Sequence, residues 1–215
     1  FQYRGTFVSL TENFCSIGME QPAGNKITGN PSSHPALSVK WVEDFPDIPL
    51  NRNEAYKLRV TSKGVEIEAI TETGVYRAIQ TLRQLTEKKG NGIAITGCEI
   101  TDWPAFRIRG FMQDVGRTYI STDELKREIA ILARYKINVF HWHLTENQAW
   151  RLQSKVFPML NDSVNTTRQP GKYYTLEEAR ELAAFCKQHH VLLIPEIDMP
   201  GHSAAFVRTF RHDMQ

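Results

Sequence analysis

The sequence predicts an α/β protein in two parts, and three features carry that expectation. Beyond Asp102-Trp103-Pro104 the hydrophobic pattern runs strand, helix, strand, helix, strand. Both helices open on a Ser/Thr-x-x-Glu capping box, Ser121 with Glu124 and Thr175 with Glu178. The last strand, Val191-Leu-Leu-Ile194, is wholly apolar, as a parallel strand buried on both faces requires. Repeated units of this kind build either a (β/α)8 barrel or a doubly wound sheet. Pro104 restricts Trp103 and interrupts regular structure. The expected boundary follows: a small α+β domain over 1–102, then β/α units over 103–215.

In the first part, Gly24, Gly29, Pro31, Pro35, Pro46 and Pro49 divide residues 1–50 into short strands and loops. Tyr56–Thr61 and Val65–Ala69 alternate polar and apolar residues around Ser62-Lys63-Gly64, which reads as a β-hairpin. From Gly74 to Thr86 the period changes. Val75, Ile79, Leu82 and Leu85 then share one helical face. Ile93 to Ile100 returns to strand alternation, so a helix covers one face of a sheet. In the second part, Phe106–Val115 and Ile137–Leu144 are the first two strands. Leu125, Ile129 and Leu132 make the buried stripe of one helix; Leu176, Ala179, Leu182, Ala183 and Cys186 make that of the next. The 112 residues from Pro104 to Gln215 hold three strands and the start of a third helix. A closed barrel takes ~250 residues, so any barrel here is incomplete.

Apolar residues at 41% and charged residues at 23% are those of a globular protein with a real core. Net charge is +2, with Lys and Arg scattered. That pattern speaks against nucleic acid or an anionic surface as partner. No apolar run approaches the ~20 residues that cross a bilayer. Cys15, Cys98 and Cys186 lack disulfide or metal spacing and are expected to be free thiols. The chain starts at Phe1 without Met, so an upstream segment, such as a signal peptide, is expected to have been removed or left out.

Four segments carry chemistry. Three fall near strand ends, where parallel α/β folds place their sites. They are Arg107-Ile-Arg-Gly-Phe-Met-Gln-Asp-Val-Gly-Arg117, His141-Trp-His-Leu-Thr-Glu-Asn-Gln-Ala-Trp-Arg151 and Pro195-Glu-Ile-Asp-Met-Pro-Gly-His202. The fourth is the helix Gly74-Val-Tyr-Arg-Ala-Ile-Gln-Thr-Leu-Arg-Gln-Leu85. Each taken alone has a structural reading. A single Arg on a strand serves a salt bridge, Pro-Gly-His can be a turn before a helix, and helical spacing is first of all core packing. His141 and His143, two apart on one strand face, suit a metal pair or a pair of core histidines.

Together, in this order, the four segments resemble glycoside hydrolase family 20, over roughly residues 53–205. The resemblance implies a (β/α)8 barrel after a smaller domain, and β-N-acetylhexosaminidase activity on glycans ending in N-acetylhexosamine. It implies that Arg109 grips adjacent ring hydroxyls, for which a planar guanidinium is suited. It implies that His202, with the acidic residue after His-Trp-His-Leu, supports a general acid, and that Asp198 lies near the sugar. Here the acidic residue is Glu146, followed by Asn147, where many members have Asp-Asp. Glu is one methylene longer, so its contact with His202 is expected to be re-angled or partly lost.

The family cleaves by substrate assistance, the sugar's 2-acetamido oxygen attacking the anomeric carbon with retention. An Asp-Glu pair later in the barrel orients that group and protonates the leaving oxygen. No Asp-Glu follows His202, and Asp123-Glu124 is explained by helix capping. The chain is therefore expected to be an N-terminal fragment that is inactive by itself, with no cofactor. Its open sheet edges are expected to make it self-associate or to leave residues 200–215 disordered. A periplasmic or extracellular location fits the family's glycan-degrading role. Two alternatives stand beside this reading: a metal-dependent barrel hydrolase using His141 and His143, and a non-catalytic glycan-binding fragment stacking sugars on Trp142 or Trp150.

Overall fold

The computed structural model of the protein describes residues 7–10, 36–89 and 92–211. Cys15 and the chain breaks expected at Gly24, Gly29, Pro31 and Pro35 lie outside them. Two compact units emerge, Phe1–Arg107 and Ile108–Gln215. No helix among the described residues is long and apolar enough to cross a membrane.

In the first unit, strands β1 (Phe7–Leu10), β2 (Ala36–Trp41), β3 (Tyr56–Thr61) and β4 (Gly64–Ala69) precede helix α1 (Glu72–Gln84). Strands β5 (Thr86–Lys89), β6 (Gly92–Thr96) and β7 (Cys98–Asp102) follow it. One sheet runs β2-β4-β3-β7, with β3 and β4 forming the expected hairpin; β1-β6-β5 make a second. The expected strand from Ile93 to Ile100 is in fact two. Gly97 separates β6 from β7, and each joins a different sheet. Helix α1 also stops short of the expected Thr86, because Thr86 to Lys89 pair with β6.

The inward faces of β3 and β4 bury Tyr56, Leu58, Val60, Val65, Ile67 and Ala69 against Ala78 and Leu82 of α1. Each such side chain contributes about 1.5–3 kcal/mol of hydrophobic stabilisation, Ala less. Thr71 caps α1, its side chain accepting from the Gly74 amide. Gly74 itself is forced by packing, since a Cβ there would lie 2.5 Å from the Ala55 carbonyl oxygen. The Tyr56 hydroxyl donates to Asp102 at 2.7 Å and lies 2.5 Å from the Thr81 hydroxyl, tying β3 to β7 and α1.

The second unit is a three-stranded parallel sheet, β8 (Gly110–Asp114), β9 (Val139–His143) and β10 (Leu192–Glu196), in that spatial order. Helix α2 (Thr122–Arg134) connects β8 to β9, α3 (Leu176–Gln188) leads into β10, and α4 (Ala204–Phe210) follows it. These are the first three β/α units of a barrel, and the sheet is open. Both expected capping boxes form, with each Glu side chain returned to the backbone of its cap residue. On α2, Leu125, Ile129 and Ala133 are buried; Ala133 takes the place expected of Leu132.

The expectation that Val191–Ile194 is buried on both faces fails. Leu192 is 60% exposed and Ile194 40%, because β10 is an edge strand of the three with nothing on its outer side among the described residues. On α3 only Leu182 and Cys186 are buried, while Ala183 is exposed. Its remaining stripe faces an open apolar groove of about 320 Å³ lined by Leu144, Leu152, Leu176, Ala179 and Leu193. Cys98 and Cys186 are free thiols, and burial pushes the Cys186 thiol up to about 12. In the stretch expected to be disordered, Ala204–Phe210 is helical; residues 212–215 lie outside the described set.

Candidate active site

Parallel pairing aligns the C-terminal ends of the three strands. Asp114 stands opposite His143, and His143 opposite Glu196. Past β9 the chain turns back in a tight loop. The Glu146 amide donates to the Ala149 carbonyl at 2.9 Å and the Arg151 amide to that of Leu144 at 2.9 Å. This loop drives the Glu146 side chain inward, to 2% exposure.

A buried carboxylate needs charged or hydrogen-bonding partners, and Glu146 has several. Its two oxygens lie 2.5 and 2.8 Å from His202 Nδ1. Arg117 Nη2 donates to Oε1 at 3.2 Å, and the Asn147 amide to Oε2 at 3.1 Å. The longer side chain of Glu therefore keeps the contact with His202, which was expected to be re-angled or partly lost. His202 adopts φ 52°, a left-handed conformation uncommon outside glycine. Helix α4 follows directly, its first amide, Ala204, donating to Asn147 Oδ1 at 3.2 Å; Arg208 grips the Asn147 carbonyl at 2.7 Å.

Asp114 and Arg117 form the floor of the cluster. The Arg117 amide donates to Asp114 Oδ1 at 3.0 Å, and its guanidinium bonds the other carboxylate oxygen. Burial alone would raise the Asp114 pKa. The Arg117 amide and guanidinium, helped by His143, outweigh that and hold the carboxyl below its usual range. Gly116 makes the approach possible, because a Cβ there would sit 2.6 Å from that of Glu146. Nearby, the Asp198 amide donates to Thr145 Oγ1 at 2.9 Å, and His141 Nε2 meets Glu196 Oε2 at 2.5 Å.

The structure thus brings Glu146, His202 and Asp198 to one set of strand ends. It does not bring Arg109 there. Arg109 precedes β8, with its amide bonded to Asn138 Oδ1 at 2.8 Å and its Nε to the Lys136 carbonyl at 2.7 Å. Five residues of strand, about 16 Å, separate it from Asp114, so the expected convergence of all four residues is not seen. The proposed metal pair also divides, since His141 engages Glu196 while His143 faces Asp114 at 3.7 Å. Trp142 is core, packed edge-on against Tyr174 at 4.7 Å, and Trp150 lies against Phe206 at 6.1 Å. Sequence reasoning gave no role to Asp114 and Arg117, and it considered His143 only as one of a metal pair with His141. The available signal was an Asp and an Arg three apart just past a strand end, a spacing that closes a tight turn.

Such a pair, a carboxylate fixing an imidazole beside further acids, can hold or relay a proton. Residues 106–214 match the catalytic domain of glycosyl hydrolase family 20, and residues 18–103 match domain 2 of that family. The beta-hexosaminidase of Porphyromonas gingivalis is 39% identical over 204 residues, covering 89% of this chain and 24% of its own length. The Flavobacterium johnsoniae chitobiase structure superposes with a TM-score of 0.75 at 32% identity, over 90% of this chain and 28% of that one. An exo-β-N-acetylglucosaminidase of Vibrio harveyi, in complex with N-acetylglucosamine, gives 0.72 at 34% identity, over 82% and 29%. The chain spans between 24% and 29% of the length of these relatives. With both units matched in order, the chain belongs to glycosyl hydrolase family 20.

Proposed function

We propose that the whole protein is a β-N-acetylhexosaminidase that removes terminal N-acetylhexosamine from glycans with retention. The observation that supports this best is the buried Glu146 carboxylate bonded to His202 Nδ1 at the strand ends. Held this way, Nδ1 carries its proton toward Glu146, and Nε2 is the nitrogen left to face a neighbouring carboxyl. In the proposed reaction the acetamido oxygen attacks the anomeric carbon as the bond to the leaving oxygen breaks. That oxygen takes a proton from a carboxylic acid, and water later opens the cyclic intermediate. In this proposal Asp198 bonds a sugar hydroxyl. The sugar grip expected of Arg109 belongs to the proposal as well, and it requires the guanidinium to leave the Lys136 carbonyl. A periplasmic or extracellular location belongs to the same proposal.

The whole protein is expected to hydrolyse p-nitrophenyl N-acetyl-β-glucosaminide or its galacto epimer; inertness toward both ends the reading. The 215 residues alone carry no Asp-Glu pair after His202 and are expected to show no turnover. Alone, they are also expected to self-associate. Exposed Met112 on β8 and Leu192 and Ile194 on β10 provide open apolar strands for pairing. Sedimentation velocity checks this, and a monodisperse monomer at tens of micromolar counts against it.

A further inference from the structure

One cluster at the strand ends is not used by the Glu146–His202 pair. Because β9 and β10 run parallel with His143 opposite Glu196, their side chains project from the same face. Asp198 joins them two residues on, held by the Thr145 hydroxyl. One ring nitrogen of His143 and one carboxylate oxygen each from Glu196 and Asp198 lie within 4.8 Å of one another.

Two features of this trio call for a cation. His143 is 4% exposed, yet neither ring nitrogen has a hydrogen-bond partner among the described residues. A buried imidazole left without partners is costly. Beside it, two carboxylates of like charge face one space, and among the described residues only His141 answers one of them, at Glu196 Oε2. We infer that His143, Glu196 and Asp198 form a binding site for a divalent first-row transition ion of the zinc class.

An imidazole among carboxylates favours such ions over magnesium or calcium. Tetrahedral zinc bonds of ~2.0–2.2 Å place neighbouring donors ~3.3–3.6 Å apart. Side-chain rotation of roughly 1 Å therefore closes the site. The surroundings suit it. Asp114 Oδ1 lies 3.7 Å from His143 Nδ1, where a carboxylate supports a metal-bound imidazole from behind. His141 on Glu196 Oε2 fixes that carboxylate and leaves its second oxygen for the ion. The trio differs from the His141/His143 pair considered from sequence, and it shares Asp198 with the proposed sugar contacts, so the ion and the sugar are tested separately.

The test is calorimetric titration of Zn²⁺ into the purified, metal-stripped 215-residue chain, with no sugar present. One ion per chain is expected. His143→Ala and Asp198→Ala each weaken binding by about 100-fold or more, and Asp114→Asn by about 10-fold. His202→Ala weakens it by no more than about fivefold, since His202 contributes no ligand and only packs its ring edge-on against that of His143 at 5.6 Å. The proposal is overturned if the folded chain shows no saturable binding, or if His143→Ala and Asp198→Ala bind as the parent does. It is equally overturned if His202→Ala abolishes binding, which places the ion on the Glu146–His202 pair. Should His143→Ala fail to fold by circular dichroism, Asp198→Ala decides, because Asp198 is only half-buried.

Discussion

Arg151→Ala is expected to destabilise the Ile108–Gln215 unit by about 4 kcal/mol or more. Arg151 is 0% exposed and spends its guanidinium entirely on backbone carbonyls. Nε donates to Val115 at 3.1 Å, Nη1 to Gln169 at 3.2 Å and Lys172 at 2.7 Å, and Nη2 to Arg168 at 2.9 Å. Burial pulls its pKa below that of a free guanidinium, though it stays charged. Hydrogen bonds to a charged donor are worth about 1.5–3 kcal/mol each, and truncation would strand four carbonyls around a cavity. Arg151→Lys restores the charge but not the planar fork, so it recovers about half the loss. Urea unfolding followed by tryptophan fluorescence measures both. A loss under 1 kcal/mol for Arg151→Ala would mean that water replaces the guanidinium at no cost. The consequence extends to the site, because Val115 immediately precedes Gly116, whose backbone packs on Glu146.

Where local signals were strong, the sequence foretold the structure. The β3–β4 hairpin, α1 and both capping boxes are short-range features: alternation, helical spacing and a side chain returning to its own backbone. Where pairing is long-range, it foretold little. β5 is Thr-Glu-Lys-Lys, with no apolar alternation to mark it, and it exists because β6 offers it a partner. Val191–Ile194 misled in the opposite sense. An apolar run reports what a strand is suited to bury against, and whether a neighbour is present is settled elsewhere.

The site divides the same way. Glu146 and His202 were legible from motifs 56 residues apart, and the fold closes that gap to 2.5 Å. Arg109 carried the same motif authority, yet its position before β8 places it at the other strand end. A motif specifies residue type and order; the strand's direction decides which end of the sheet a side chain serves. Asp114 and Arg117 were missed because a buried carboxylate's supporting cation is visible only once the loop is folded.

Glu146→Gln, made in the whole protein, is expected to lower kcat about 100-fold while KM moves by no more than about threefold. The amide keeps the shape, so the buried position remains filled. It loses the negative charge that Arg117 and His202 share, and its NH₂ can turn toward His202 Nδ1 and favour the wrong tautomer. Ground-state contacts with the sugar come from other residues in this scheme, which is why the loss falls on kcat. Glu146→Asp keeps the charge and shortens the reach by one methylene. With both oxygens of Glu146 within 2.8 Å of Nδ1, the shorter acid has one good contact to preserve and is expected to retain activity within about tenfold. Equal kcat for Glu146→Gln and the parent would falsify a charge-based role and reduce Glu146 to packing. A fall in both variants with a tenfold rise in KM would instead show that this carboxylate binds sugar directly.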